Sequence, residues 1–313
     1  MKRVRNTILG AAIATGLIVC GVAANAEYPD GAVTIVVGFG AGGGVDTISR
    51  AASGALSNSL GQPIVVQNRP GAGGGLAVTA LKAEAADDYT IVATTSTTLT
   101  FDPHAKKVGF AVDDFEYIAA FGVFPEALVA LPSRGWKTFA DTVKEARAKG
   151  GLNYASTTSI DRVVIAAIAK KEGVKFSPVP TKGGAEAVAQ TLGGHVDFAY
   201  SSGTYYAQAK AGKLHVLAGL GDSRIVGFPD APTLRDLGYD TSSVNMILFL
   251  VPKGVPAGAK AKLVKAFAAA GKDEKLLGVL NKRNMGNIVL VGGDIESAIH
   301  EQSKGFKAAL SSK

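Results

Sequence analysis

The chain has 313 residues, 47% of them hydrophobic, and a formal net charge of +7 at pH 7. This length is enough for two domains of ordinary size, each with its own core. The basic residues are spread along the sequence. Neither a Lys/Arg block with interleaved aromatic residues nor a basic amphipathic helix is present, so the sequence does not indicate binding to nucleic acid or to a membrane surface.

The first 26 residues have the features of a secretory signal peptide. Basic residues within the first five positions precede an apolar run over 8–19, and positions 24–26 read Ala-Asn-Ala, which suits signal-peptidase cleavage. The apolar run is shorter than the roughly 20 residues that span a bilayer. We predict export to the periplasm and a mature chain from Glu27, with an uncleaved anchor and a lipid-modified Cys20 as alternatives. Because Cys20 is the only cysteine, the mature chain has no disulfide and no thiol nucleophile.

Strands and helices are predicted to alternate along the mature chain. Short β-branched or apolar runs bounded by Gly, Pro or polar residues predict strands, and longer amphipathic stretches predict helices. The first series has strands over 33–37, 64–67, 90–94 and 117–121 and helices over 45–59 and 76–85. The second has strands over 127–131, 152–155, 177–179, 197–200 and 214–220 and helices over 139–148, 160–171 and 185–192. A strand over 244–251 and helices over 260–281 and 294–310 complete the chain.

This alternation predicts an α/β fold with a largely parallel sheet. Two series without a flexible linker indicate two domains joined by strands that act as hinges, with crossings at 121–131 and 244–251. We predict a first domain over 27–124 and 248–313 and a second domain over 125–247. A ligand would lie between the domains, at loops that follow the carboxyl ends of strands.

A glycine-rich turn over 38–44 joins the first strand to the first helix. Successive glycines let backbone N–H groups converge, and a helix amino terminus adds partial positive charge, so this turn predicts a site for a carboxylate or phosphate. Gly38, Gly40 and Gly43 also match the dinucleotide fingerprint G-x-G-x-x-G. The second strand offers no acidic residue for a ribose, and an exported protein has little access to NAD(P). Dinucleotide binding and a purely structural turn remain as alternatives.

Taken together, the motifs of the chain resemble those of the Bug-type, or tricarboxylate-transporter, substrate-binding proteins. They extend over nearly the whole mature chain, and their order and spacing carry the resemblance. In chain order they are Tyr28-Pro29, Ala41-Gly42-Gly43 with Asp46 and Arg50, Leu60-Gly61-Gln62, the second glycine-rich turn at 68–75, Asp88-Tyr89-Thr90, Asn153-Tyr154-Ala155-Ser156, Lys182-Gly183-Gly184-Ala185, 192–197, Gly212-Lys213-Leu214 and 229–233.

The resemblance implies a two-domain periplasmic binding protein fold, similar to type II, with the ligand cleft between the domains. It implies membrane permease subunits of a tripartite tricarboxylate-type transporter as partners. We expect a monomer with no cofactor, no nucleic-acid partner and no metal site. The four histidines are scattered without the spacing of zinc ligands.

In the family, a ligand carboxylate is typically held by backbone N–H groups of the first glycine-rich loop and of the loop after Y-A-S. Carried over, the resemblance implies ligand-binding roles for Phe39, Gly40, Ala41, Gly42, Gly43, Gly44, Asp46, Ser156, Thr157, Thr158, Ser159, Arg162 and Thr181. The predicted strand ends add Ser96, Asp197 and Ser201.

The second of these loops departs from the family pattern. It is shorter, contains no glycine, and has Arg162 at the position of a family histidine; Thr181 stands where an aromatic residue is common. Arg162 could pair with a second carboxylate through both guanidinium nitrogens, or it could be an exposed helix residue.

The sequence therefore predicts a non-enzymatic binding protein that captures a small organic carboxylate, either a dicarboxylate or an aromatic carboxylate. A sensory binding protein and a secreted enzyme acting on an organic acid remain as alternatives. No G-x-S-x-G nucleophile elbow indicates a serine hydrolase.

Overall fold

The structure is a computed structural model that describes residues 28–83, 89–221, 223–239, 244–286 and 288–311. The signal peptide predicted over 1–26, Glu27, Asp88 of the Asp-Tyr-Thr motif and the end of the helix predicted over 76–85 lie outside the described residues. In these ranges, no helix combines the length and the apolar character that a bilayer crossing requires.

The strands form two sheets. Their bounds are β1 Val33–Val37, β2 Ile64–Asn68, β3 Thr90–Thr95, β4 Phe115–Val123, β5 Glu126–Ala130, β6 Leu152–Ser156, β7 Phe176–Pro180, β8 Phe198–Ser202, β9 His215–Gly219, β10 Met246–Pro252 and β11 Val289–Val291. The six-stranded sheet has the order β11-β4-β10-β3-β1-β2, and the five-stranded sheet has the order β7-β6-β8-β5-β9. The two predicted α/β series therefore correspond to two separate sheets.

Helices connect the strands and cover the sheets. Their bounds are α1 Gly44–Leu60, α2 Gly75–Ala83, α3 Ser96–Thr100, α4 Asp102–Ala105, α5 Phe139–Lys149, α6 Ser159–Glu172, α7 Gly184–Leu192, α8 Tyr206–Lys210, α9 Ala257–Ala270, α10 Glu274–Lys282 and α11 Gly293–Ser311. The single helix predicted over 260–281 is two helices, α9 and α10. Asp273 begins the second one, because its carboxylate accepts the Leu276 N–H at 3.0 Å.

Both sheets are mixed, which differs from the largely parallel arrangement predicted. β1 is parallel to β2 and β3, and β6 is parallel to β7 and β8. β10 is antiparallel to β3 and β4, and β5 is antiparallel to β8 and β9. The antiparallel pairings involve β4, β5 and β10, which flank the two crossings between the sheets. The chain leaves the six-stranded sheet through Phe124-Pro125 and returns to it at Met246.

Separate hydrophobic clusters lie on the faces of each sheet, and α11 contacts both sheets. Ile295 and Ile299 pack in a cluster of the six-stranded sheet. Phe306 and Leu310 pack against a cluster of the five-stranded sheet, where the Phe306 ring lies 5.2 Å from that of Phe101. Met246 and Ile247, which the predicted boundary assigned to the second domain, pair within the six-stranded sheet. The division into two domains remains our interpretation, with Phe124-Pro125 and the segment before Met246 as its crossings.

Candidate ligand site between the two sheets

A cavity of about 20 Å³, close to the space that one water molecule occupies, lies between the sheets. Residues of both sheets line it: Phe39, Gly43, Gly44, Val45, Thr95 and Phe124 on one side, and Thr157, Thr158, Gly184, Ser202 and Thr204 on the other. None of these side chains is charged. An anion bound here would be recognised by hydroxyl and backbone N–H groups.

Larger depressions, of about 390 to 610 Å³, lie elsewhere on the surface. One of them shares Phe124 with the cavity between the sheets, and none of them is bordered by the starts of two helices from different sheets. The cavity between the sheets is smaller, but it is the one at which α1 and α7 both begin.

The loop before α1 is held in place by Asp46. Its carboxylate accepts the Gly42 N–H at 2.8 Å, the Arg50 Nε–H at 2.9 Å and the Asn68 amide at 2.9 Å. Asp46 is only 3% exposed, so its carboxylate positions the loop and does not line the cavity. Ala41 and Gly42 form the exposed tip of this loop.

Both glycine-rich turns contact the five-stranded side. The Gly40 N–H donates to the Lys182 carbonyl at 2.9 Å. A Cβ atom at Gly73, where φ is +66°, would lie 3.4 Å from the Thr158 Cα, so a side chain at this position would crowd the second loop. The loops that the sequence predicted on opposite sides of a cleft therefore lie against each other.

The loop before α6 is satisfied by its own helix. The Asp161 carboxylate accepts the N–H groups of Thr157 and Thr158 at 2.9 and 2.7 Å, the Ser156 hydroxyl at 2.7 Å and the Thr158 hydroxyl at 3.1 Å. Thr181 braces the same loop, since its N–H and hydroxyl both donate to the Ser156 carbonyl, at 2.9 and 3.0 Å. Of the Ser156–Ser159 loop that the resemblance implied for a ligand, the Thr157 and Thr158 N–H groups are thus bonded within the protein.

Ser159 and Arg162 lie at the rim of the loop, outside the cavity lining. Arg162 is exposed, and its Nε donates to the Ser156 hydroxyl at 2.8 Å. The Ser159 hydroxyl accepts from the Lys106 ammonium, which also pairs with Asp102 at 3.0 Å. Burial raises the pKa of Asp102 above its ordinary value, and the Lys106 charge partly opposes this shift.

At two strand ends, the residue that faces the cavity is next to the one predicted. Thr95 lines the cavity, whereas the Ser96 hydroxyl donates to Asn245 at 3.4 Å and lies at the second crossing. Ser202 lines the cavity, whereas Ser201 is buried outside the lining. Ser201 and Ser202 are consecutive residues of β8, so their side chains point to opposite faces, whereas Ser96 is the first residue of α3 and not part of the strand.

Asp197 lies at the start of β8, whereas Ser202, at the end of the same strand, lines the cavity. The Asp197 carboxylate pairs with the Arg134 guanidinium at 2.5 Å and accepts the Asn153 N–H at 2.7 Å. These contacts give Asp197 a structural role within the five-stranded half of the molecule, away from the cavity lining.

A buried polar network behind the cavity was not predicted. Glu126, 1% exposed, accepts from the Tyr200 hydroxyl and from the Asn245 amide at 2.9 Å. Asn245 accepts the Thr97 N–H at 3.2 Å, and the Ser202 hydroxyl donates to Tyr200 at 3.2 Å. Burial and the Glu126 carboxylate raise the pKa of Tyr200 well above its ordinary value, so its phenol stays protonated. The network joins the cavity to both chain crossings. The feature of the sequence that could have indicated it is Glu126, an acidic residue at the start of an apolar strand.

Phe124 and Thr204 are further cavity residues that sequence reasoning missed. The Phe124 ring covers the start of α1, since its Cε1 lies 2.6 Å from the position of a Cβ at Gly44. Thr204 Oγ1 lies 2.6 Å from the Cβ position at Gly184. This oxygen is buried and has no hydrogen-bond partner among the described residues. The signal for Thr204 was the run Ser201-Ser202-Gly203-Thr204 after a strand, which parallels the hydroxyl-rich run after β6.

Within the described ranges, no group of three or more His, Cys, Asp or Glu side chains is placed to hold a metal ion. The site residues gathered between the sheets are instead glycines, hydroxyl-bearing residues, two phenylalanines and one valine. This composition suits reversible binding through hydrogen bonds.

Comparison with known proteins gives the family. The family model described as "Tripartite tricarboxylate transporter family receptor" matches residues 48–312. A Cupriavidus necator protein, "UPF0065 protein in gbd 5'region", is 32% identical over 271 residues, covering 85% of this chain and 83% of the relative. "Protein BugT" of Bordetella pertussis is 28% identical over 290 residues, covering 84% of this chain and 87% of the relative.

A solved structure supports the fold. The structure titled "MatC (Rpa3494) from Rhodopseudomonas palustris with bound malate" superposes with a TM-score of 0.80 at 23% identity and covers 90% of this chain and all of the other, 100%. Members of this family are periplasmic binding proteins of transporters. The chain belongs to the Bug-type receptors of the tripartite tricarboxylate transporter family.

Proposed function

We propose that this chain captures a small organic carboxylate between its sheets, at the helix starts that border the cavity, and presents it, in the periplasm, to membrane subunits of a tripartite tricarboxylate-type transporter. The cavity of about 20 Å³ is smaller than such a ligand, so the two halves must move apart to admit it. The observation that carries this proposal is the meeting of two helix starts at an uncharged, hydroxyl-lined cavity. α1 contributes Gly43, Gly44 and Val45, and α7 contributes Gly184. The two helices belong to opposite halves of the molecule.

The chemistry of helix starts favours an anion. The first N–H groups of a helix have no partner within the helix, and the aligned peptide dipoles place partial positive charge there. A carboxylate satisfies such donors without a cationic side chain, whereas a neutral sugar gains nothing from the dipole. The lining of this cavity offers hydroxyl groups to orient the carboxylate and two aromatic rings, Phe39 and Phe124, to contact an apolar part of the ligand.

Binding between the halves links capture to closure. A ligand that contacts both helix starts binds the closed arrangement more tightly than an open one, so it shifts the population toward closure. The malate bound to MatC supports a carboxylate as the ligand class. The proposal includes transport by a permease partner, action as a monomer and export through the N-terminal segment, which the family and the sequence pattern support.

A thermal-shift screen of residues 27–313 tests the proposal. The panel contains succinate, malate, adipate and benzoate, together with NAD(P), nucleotides and neutral sugars. A specific ligand at about 100 times its Kd stabilises the fold by about 2.7 kcal/mol. We expect shifts confined to carboxylates, with the acid recovered unchanged by NMR. Shifts confined to NAD(P), or chemical conversion of the acid, would contradict the proposal.

A further inference from the structure

We infer that the half of the site contributed by the five-stranded sheet binds the ligand carboxylate through the Thr204 hydroxyl and the start of α7, and not through the N–H groups of Thr157 and Thr158. This inference rests on the proposed function and names the residue that makes the contact. The resemblance implied the loop after Y-A-S as the partner of the α1 loop, whereas this inference assigns that role to Thr204 and the start of α7.

The loop before α6 has already used two of its backbone donors. Asp161, which is fully buried, accepts both N–H groups at 2.9 and 2.7 Å. A ligand carboxylate could bond to these N–H groups only by displacing the buried Asp161 carboxylate, which is itself a carboxylate. That exchange would leave the Asp161 carboxylate without its partners, at a large desolvation cost.

Thr204 offers a hydroxyl donor that no described group has taken up. Its Oγ1 is buried without a hydrogen-bond partner among the described residues, and the residue lines the cavity. A buried hydroxyl without a partner is costly, and a ligand oxygen at this position would remove that cost. A carboxylate oxygen accepts from a hydroxyl in a charge-assisted hydrogen bond, which is stronger than a neutral one.

The start of α7 adds positive potential beside this hydroxyl. Its N-cap is Gly183, which has no side chain to cap the helix. Glu186 is turned back to the Lys182 N–H at 2.7 Å. α1 begins in the same way, with Gly43 as an N-cap that makes no side-chain cap. At neither of the two helix starts that border the cavity does an N-cap side chain cap the helix. Thr204 Oγ1 lies beside one of them, 2.6 Å from the Cβ position at Gly184.

The test compares two substitutions at one position. T204V keeps the shape of the side chain and removes the hydroxyl, and T204S keeps the hydroxyl. Calorimetric titration of residues 27–313 with succinate, malate, adipate and benzoate gives the Kd of each variant. We expect T204V to weaken the best acid about tenfold or more, as the loss of a hydrogen bond to a charged group does, and T204S to stay within about threefold.

S201A is the matched control, because Ser201 also has a buried hydroxyl without a partner among the described residues, but lies outside the cavity lining. Its affinity should equal that of the original chain. If T204V does not fold by circular dichroism, G184A replaces it, since the added methyl would lie 2.6 Å from Thr204 Oγ1 and displace the hydroxyl. The same loss of affinity is expected.

Unchanged affinity in T204V, or in G184A where that variant is used, would overturn the inference while leaving the proposed function intact. Equal losses in T204V and S201A would overturn it as well, because they would indicate a general effect of β8. If the unsubstituted chain binds none of the four acids, the proposed function fails and the inference fails with it.

Discussion

The loops before α1 and α6 share a design but differ in what they leave for a ligand. In each, an acidic residue at the third helical position accepts the N–H four residues earlier, Gly42 to Asp46 at 2.8 Å and Thr157 to Asp161 at 2.9 Å. Asp46 directs its other contacts to the side chains of Arg50 and Asn68. Asp161 directs its own to donors of the same loop.

The two loops differ in which part of the chain donates hydrogen bonds to the carboxylate. The Asp46 carboxylate, held by side chains outside the loop, takes up one N–H group of its loop, that of Gly42. The Asp161 carboxylate takes up two N–H groups and two hydroxyls of its own loop. The same local motif therefore borders the proposed anion site in one half of the molecule and forms an internally hydrogen-bonded support in the other.

The largest expected effect is a difference in the free energy of unfolding between the variants that lack these two carboxylates. D161A leaves two N–H groups and two hydroxyls without their buried acceptor, and we expect it to lower the free energy of unfolding by about 3–5 kcal/mol. D46A should cost less, about 1–3 kcal/mol, because the side chain of its partner Arg50 is half exposed and can bind water. Urea unfolding measures both. A larger cost for D46A would reverse the comparison.

The next effect concerns access to the α1 start. In G44A the new methyl would lie 2.6 Å from Phe124 Cε1, so the ring must move and the cavity changes shape. We expect carboxylate affinity to fall about tenfold or more. G54A is the control in the same helix, because Gly54 has no atom within 4 Å of its Cβ position; it should keep the affinity and add about 0.5–1 kcal/mol of stability. Equal affinities for G44A and G54A would show that the α1 start does not contact the ligand.

A smaller effect is a pH dependence at the rim of the α6 loop. Burial raises the pKa of Asp102, so the folded state holds this proton more tightly than the unfolded state. The stability contributed by the protonated group is fully present below about pH 3.9, the ordinary value, and is lost as the pH rises through the raised pKa. The stability of the original chain relative to D102N should therefore fall from acidic to neutral pH, as urea unfolding at several pH values would show. A difference that rises with pH would contradict the assigned direction.

The smallest effect is expected at Arg162. Its guanidinium is exposed and donates to Ser156, so R162A should change the affinity for dicarboxylates by less than about threefold, as removal of an exposed charge usually does. R162K is the control, since it keeps the charge. A loss of tenfold or more in R162A with retention in R162K would show that Arg162 reaches a second carboxylate.

Much of the fold was readable from local patterns. The apolar run at 33–37 coincides with β1, and the glycine-rich turn after it leads into α1 as predicted. β11 was missed because three residues at a sheet edge carry little pattern. The long helix over 260–281 was divided because the Asp273 cap outweighs the continuous helical periodicity. Strand direction was mispredicted because β10 and β5 reach their sheets through crossings that periodicity does not reveal.

The sequence indicated the two loops that contribute to the cavity lining, but not which groups in them are available as hydrogen-bond donors. Thr95 and Ser202 face the cavity instead of Ser96 and Ser201, since the face of the last strand residue depends on the packing of both halves. Phe124 and Thr204 meet the helix starts only through long-range topology. The role of Asp161 also required coordinates, because an acidic residue near a helix start indicates a cap without showing which donors it takes.

Amide NMR of residues 27–313, with and without the acid that gives the largest thermal shift, tests the central claim directly. We predict that Thr157 and Thr158 amides are protected from hydrogen exchange without ligand and unchanged by it, because Asp161 already holds them. The acid should shift and protect the amides at the two helix starts, Gly44 and Gly184. New protection at Thr157 and Thr158, with no change at Gly44 and Gly184, would contradict the account.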